Sequence, residues 1–176
     1  MGVSLQKNLF SIFGYRGSIG DPKVVAESLL RLHEEGRRMN NDPTNICWQD
    51  IEIPAPFECT EIEKVYNYIA NTLAEESGRN VTASLPWTIA NGPLEQTYPH
   101  SHTGNGCEWS CVYWAQVPEN SGMLSIYPLG FDGPEVLEEP TAGDFLIFPS
   151  FLLHGVRHNA STEKRVSMSF NMKWES

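Results

Sequence analysis

From Arg165 to Trp174 the chain alternates without a break: Val166, Met168, Phe170, Met172 and Trp174 are apolar, while Arg165, Ser167, Ser169, Asn171 and Lys173 are polar. A period of two belongs to a β-strand, whose successive side chains point to opposite faces. One face must be buried against an apolar layer, for which two helices are the candidates. The other carries an arginine and two serines and faces either bulk water or a polar cavity. A ten-residue strand of this kind requires a sheet, and the sheet must be covered on at least one side.

The covering helices are legible upstream. Asp21-Pro22 reads as an N-cap followed by a proline at the first helical position, and Val25, Leu29 and Leu32 then recur at helical spacing until Gly36, predicting a helix over 22–35. Thr60-Glu61-Ile62-Glu63 reads as a capping box. Behind it, Ile62, Tyr66, Ile69 and Leu73 form one stripe that ends near Gly78. Between the helices, Met39 to Cys47 reads as a polar loop and Asp50 to Ile53 as a short strand. From residue 81 onward short apolar runs are separated by Gly, Pro and Asn, the pattern of an antiparallel sandwich or barrel. Strands are predicted at 81–90, 97–103, 109–117, 123–127, 144–148, 153–157 and 165–174, with Gly130 to Gly143 as a rim loop.

At 176 residues the expectation is a single domain over 1–176, with helical support over about 1–80 and a β core over about 81–176. Twelve basic against twenty-two acidic residues give a formal charge of −10, which disfavours nonspecific nucleic-acid binding and anionic membrane surfaces. Met1 to Lys7 holds no apolar run of signal-peptide length, and Gln6 spoils a myristoylation pattern, so a cytoplasmic location is expected, in the host cytoplasm if the chain is phage-encoded. For the same reason Cys47, Cys59, Cys107 and Cys111 are expected as reduced thiols, with Cys107 and Cys111 as packing groups, and the sequons at Asn80 and Asn159 carry no weight. The oligomeric state is not readable from the chain.

Chemistry concentrates in His100-Ser101-His102 and in His154, fifty-two residues further on. Alternate residues of a strand share a face about 6.5 Å apart, so two imidazoles at i and i+2 can reach one ion from the same side. His154 lies in the apolar run Phe151-Leu152-Leu153, where a buried imidazole needs a partner. His158 is the rival third ligand, but it sits beside Arg157 in the turn-like His158-Asn159-Ala160-Ser161, expected nearer the surface. His33, on the first helix, is read as surface or core filler. Glu95 and Glu108 are the alternative carboxylate donors.

Four blocks in order, His100-Ser101-His102, Trp109 to Pro118, Phe148 to His154 and Arg165 to Asn171, resemble the Fe(II)- and 2-oxoglutarate-dependent oxygenases of bacteria and their phages. The likeness spans about residues 87 to 174. It implies a double-stranded β-helix, a jelly-roll, cupin-like barrel with helices against one sheet. It matches His100, His102 and His154 to the metal triad, and Arg165 with Ser167 to the pair that holds the distal carboxylate of 2-oxoglutarate. An Arg fork suits a carboxylate, and a serine hydroxyl adds a further hydrogen bond. Asn91 and Tyr113 fall on polar positions that could contact the cosubstrate, Tyr98 precedes the metal motif, and Trp109 and Trp114 are candidates for the substrate side.

The implied activity is a dioxygenase reaction that releases succinate and CO2 and hydroxylates an unidentified substrate. The departure is His102, where most of the wider superfamily has Asp or Glu, so one negative charge is missing beside the metal. Two other readings keep the barrel: a three-histidine cupin-type metalloenzyme that does not use 2-oxoglutarate, and a noncatalytic binding module with a structural metal. Rim loops Thr103 to Glu108 and Gly130 to Gly143 are expected to read the substrate, and their acidic, Gly-rich character favours a neutral or cationic one.

Overall fold

The computed structural model describes residues 14–40, 51–103 and 106–175. Eleven strands and two helices follow one another as β1 (Tyr15–Ser18), α1 (Pro22–Asn40), β2 (Ile51–Glu52), α2 (Thr60–Ser77), β3 (Val81–Ala83), β4 (Trp87–Asn91), β5 (Thr97–His100), β6 (Trp109–Gln116), β7 (Leu124–Tyr127), β8 (Val136–Glu138), β9 (Asp144–Pro149), β10 (Leu153–Val156) and β11 (Arg165–Trp174). The larger sheet runs β1-β9-β6-β11-β4-β2, with β3 also pairing β11, and the smaller runs β5-β10-β7-β8. All named pairings are antiparallel. The fold is the double-stranded β-helix, mainly β with two helices laid on the larger sheet.

The alternation of β11 sets the layers. Val166, Met168, Phe170 and Met172 are buried with Val25 and Leu29 of α1 and Ile62, Val65, Ile69 and Leu73 of α2 in one apolar cluster. Each such side chain, fully buried, stabilises the fold by about 1.5–3 kcal/mol. The opposite face is buried as well: Arg165, Ser167, Ser169 and Asn171 are all between 2% and 9% exposed. Of the two environments the alternation allows, the polar cavity is the one present, enclosed between the sheets beside a second cluster of Val112, Trp114, Leu124, Ile126, Phe148 and Leu152.

The elements depart from their sequence-based bounds at identifiable places. Asp21 Oδ1 accepts from the Lys23 and Val24 amides, as an N-cap should, but α1 runs through Gly36 to Asn40. Gly36 serves close approach, since a Cβ there would lie 2.4 Å from Ile51 Cγ2. Met39 and Asn40 are thus helical, and the rest of the expected polar loop, with Cys47, lies outside the described residues, as does Met1 to Lys7. At α2 the capping box is not used. Thr60 is already helical, Cys59 is the N-cap without a side-chain cap bond, and Glu61 and Glu63 instead place negative charge in the first turn, where the helix dipole favours it.

The expected strand 81–90 divides into β3 and β4 around Ser84 to Pro86, and two short strands went unread, β1 and the β8 segment inside the expected rim loop. Both are short and half-exposed, without an apolar run of their own. Among the described residues Cys59, Cys107 and Cys111 are free thiols, and no helix is long and apolar enough to cross a membrane.

Candidate metal centre and anion pocket

β5 and β10 of the smaller sheet carry two of the histidines directly opposite each other, His100 against His154. His102 lies beyond the end of β5, and the i, i+2 pair therefore does not share a strand. Its loop is nonetheless held in line: the His102 amide donates to the Ser150 carbonyl at 2.9 Å, and the Cys107 thiol donates to the His102 carbonyl at 3.4 Å. Ser150 is the pivot of this corner, since its own amide donates to the Glu108 carbonyl at 2.9 Å and its hydroxyl to the Cys107 carbonyl at 2.5 Å. Sequence reasoning missed Ser150, whose only signal was its place in the strand-then-turn run Phe148-Pro149-Ser150.

One ligand nitrogen from each of His100, His102 and His154 falls within 4.8 Å of the others, and among the described residues they form the one such cluster. His158 is exposed and Glu95 and Glu108 stand outside it. Glu95 Oε2 accepts from the Gly92 amide and Glu108 Oε2 from the Trp174 amide.

The ring orientations suit ligation. Nδ1 of His100 lies 2.8 Å from the Tyr98 carbonyl and Nδ1 of His154 2.8 Å from the Leu152 carbonyl. A carbonyl only accepts, so each Nδ1 carries the proton and each Nε2 keeps its lone pair for a metal. Burial, reinforced by neighbouring imidazoles, pulls His102 down to about 4 and His154 to about 3, which keeps both rings neutral at physiological pH. Three imidazoles whose ligand nitrogens lie within 4.8 Å of one another are a donor set that iron(II) accepts.

The same cleft holds the arginine. Arg165, Ser167, Asn91 and the three histidines all line it, with Trp114 and Phe148 among its apolar walls, and it encloses about 850 Å³ of space, its open mouth included. Arg165 is 2% exposed and forms no salt bridge among the described residues. Its guanidinium donates to the Ser121 carbonyl at 3.1 Å and to Asn91 Oδ1, which uses two of five N–H bonds. Burial without a counter-charge pulls its pKa down to about 10. The Ser167 hydroxyl has no hydrogen-bond partner among the described residues, and nor has that of Ser169. A buried cation, free donors and adjacent hydroxyls are what a small carboxylate needs.

Asn91 is itself held from behind. Asn159, 0% exposed, donates from Nδ2 to the Asn91 and Glu163 carbonyls at 3.0 and 2.7 Å and accepts the Ser161 amide on Oδ1. Sequence reasoning used the turn-like string only to place His158 near the surface, where it lies, and passed over Asn159.

Tyr113, expected on the cosubstrate side, requires a correction. On β6 it shares parity with Cys111 and Ala115, so its ring lies in the helix-side core, and its hydroxyl donates to the Ile19 carbonyl at 3.1 Å. It does not line the cleft. Trp109 also faces the helix side, against Tyr15 and Trp174, which leaves Trp114 as the tryptophan of that pair in the cleft. Tyr98 is exposed and contributes its carbonyl.

Residues 86–171 match a family model described as "Putative 2OG-Fe(II) oxygenase". Over those residues, just under half of its length, the chain matches the 2OG-Fe(II) oxygenase family. It is thereby an oxidoreductase, a 2-oxoglutarate-dependent dioxygenase, and iron(II) and 2-oxoglutarate are the family's cofactor and cosubstrate. Solved structures carry the same fold. One similar structure is a prolyl hydroxylase from Trichoplax adhaerens in complex with a hypoxia-inducible factor oxygen degradation domain peptide fragment, at 16% identity and TM-score 0.70, covering 90% of this chain and 83% of that one. A Pseudomonas putida prolyl-4-hydroxylase matches at 16% identity and TM-score 0.64, covering 90% and 92%. The viral collagen prolyl hydroxylase of Paramecium Bursaria Chlorella virus-1 matches at 11% identity and TM-score 0.60, covering 89% and 94%. No curated protein sequence matches this 2OG-Fe(II) oxygenase significantly.

Proposed function

We propose that the protein hydroxylates a C–H bond of its primary substrate, with His100, His102 and His154 holding iron(II) and Arg165, Ser167 and Asn91 holding 2-oxoglutarate. The observation that carries this reading is Arg165, a buried guanidinium without a carboxylate partner among the described residues, in the cleft that the three histidines line. A buried charge is costly unless paired, so the pocket is suited to an anion that arrives from outside. Bound together, iron(II) and 2-oxoglutarate would activate dioxygen, the oxidant, one of whose oxygen atoms goes into the substrate C–H bond and the other into succinate as the cosubstrate loses CO2.

The chain's own residues do the rest. Arg165 and the Ser167 hydroxyl fix one carboxylate, and Asn91 Oδ1, accepting from the guanidinium, keeps the fork aimed into the cleft. The Tyr98 and Leu152 carbonyls lock two imidazoles in the ligating tautomer. Trp114, Leu124 and Phe148 line the cleft with apolar surface and keep water from its inner wall.

The test is anaerobic binding followed by turnover. Iron-loaded protein should gain thermal stability from 2-oxoglutarate and from N-oxalylglycine, and on admission of oxygen should convert 2-oxoglutarate to succinate. Protein that neither binds nor consumes 2-oxoglutarate would overturn the proposal in favour of a three-histidine site of another kind.

A further inference from the structure

The polar face of β11 continues past the residues the proposed function uses. Asn171 lies six residues beyond Arg165, about 20 Å along an extended strand, so a small acid anchored at Arg165 does not reach both. Asn171 is 9% exposed, and its Oδ1 accepts from the Ser110 hydroxyl at 2.8 Å. Its Nδ2 has no partner among the described residues. A buried amide with two idle donors is a recognition group awaiting an acceptor.

Asn171 also stands at a boundary. It lines the metal cleft and, with Trp87, a second cleft bounded by Leu85, Cys107 and Met172. Trp87, the other shared wall, has its ring 5.9 Å from that of His102, and Cys107 is the residue whose thiol holds the His102 carbonyl. The two clefts thus share two walls, and one of them, Trp87, stands beside the ring of a candidate metal ligand. A substrate confined to the metal cleft would have no use for the second, whereas an elongated one would run across Trp87 and past the Asn171 donors.

Resting on the function proposed above, we propose that the second cleft binds the non-reacting arm of an elongated, amide-bearing substrate, with Asn171 Nδ2 donating to an amide carbonyl oxygen where the chain passes Trp87. An amide oxygen fits because it is a neutral acceptor whose flanking apolar groups can lie against Trp87 and Leu85, and because Asn171, Ser110 and Ser169 at the boundary are uncharged, the charged Glu52 and Lys173 lining the second cleft alone.

The experiment uses the full chain loaded with Zn(II) and 2-oxoglutarate, a form that does not turn over, and an equimolar pool of N-acetylated, C-amidated tripeptides as probe. The side-chain amide signal of Asn171, assigned from Asn171→Asp, should shift with the pool and not with free amino acids at equal concentration. Asn171→Asp keeps the acceptor for Ser110 and loses the donors, so it should bind the pool at least roughly tenfold more weakly. Asn171→Ala should do the same, and if it does not fold the Asp variant decides. Equal binding of the pool by the wild type and Asn171→Asp, or protein that binds 2-oxoglutarate but shows no movement of the Asn171 signal with the pool, overturns this inference alone. Failure of 2-oxoglutarate to bind at all overturns the proposed function and this inference with it.

Discussion

His100 and His154 are register partners across the β5–β10 pair, with ring centroids 4.5 Å apart. That closeness depends on Gly155, where a Cβ would lie 2.8 Å from the Thr97 carbonyl oxygen and 2.9 Å from the Pro99 nitrogen. Both are backbone atoms of β5 that cannot swing aside. Gly155→Ala should push β5 away and weaken metal binding roughly tenfold or more with every ligand still present, the magnitude typical of lost ligand support. Calorimetric titration with Co(II) measures it, and an unchanged affinity would show that β5 yields without moving His100.

Removal of a ligand should act differently from misplacement of one. His154→Ala leaves two imidazoles and should abolish stoichiometric metal binding at micromolar iron, while His158→Ala, an exposed site, should leave occupancy intact. Metal analysis after desalting reads both, and full occupancy in His154→Ala would move suspicion to His158.

Arg165 separates stability from function. Its charge is buried without a carboxylate, and replacement of such a group by an apolar residue of similar volume is often neutral or stabilising. Arg165→Met should therefore match or exceed the wild type in melting temperature without ligand. It should lose most of the gain from 2-oxoglutarate, since charge-assisted hydrogen bonds contribute about 1.5–3 kcal/mol, roughly ten- to hundredfold in affinity. Metal content should not change. A variant that melts lower and still binds 2-oxoglutarate normally would assign Arg165 to the scaffold.

Asn159 holds the pocket from behind. Asn159→Ala leaves the Asn91 and Glu163 carbonyls and the Ser161 amide without their side-chain partner, and should cost about 1–3 kcal/mol in denaturant unfolding. Through Asn91 it should also raise the KM for 2-oxoglutarate more than it lowers kcat.

Alkaline stability should depend on Tyr113. Burial, with Asp21 and Glu61 nearby, pushes its phenol up to about 12 from an ordinary value of 10. A folded-state value above the unfolded one means that the stabilisation is complete below pH 10 and is lost as pH rises toward 12. Unfolding midpoints measured from pH 8 upward should fall along that window, and Tyr113→Phe should flatten the fall.

Much of this was readable in the chain because periodicity reports faces. The alternation of β11 placed Val166 and Met168 against the helices and Arg165 with Ser167 on the other side. The His-x-His pair and His154 were legible as residue types, yet the device that unites them was not: it is a cross-strand pairing for one pair and the Ser150 pivot for His102, and both join segments about fifty residues apart. Tyr113 was misread because its polar hydroxyl outweighed its parity with Cys111 and Ala115. Asn159 was hidden in a turn-like string, since backbone partners such as the Asn91 carbonyl leave no mark in composition. Gly36 read as a stop because a glycine that admits Ile51 and one that ends a helix look alike in sequence.

The two halves of the candidate site belong to different sheets. His100 and His154 stand on the smaller, Arg165 and Ser167 on the larger, and between them lies the cleft. A ligand that grips both ends is therefore a strut across the barrel, and part of its binding free energy resists the sheets coming apart. Occupancy should register as mechanical stiffness, with slowed amide exchange in β10 and β11 together, two strands that share no backbone hydrogen bond.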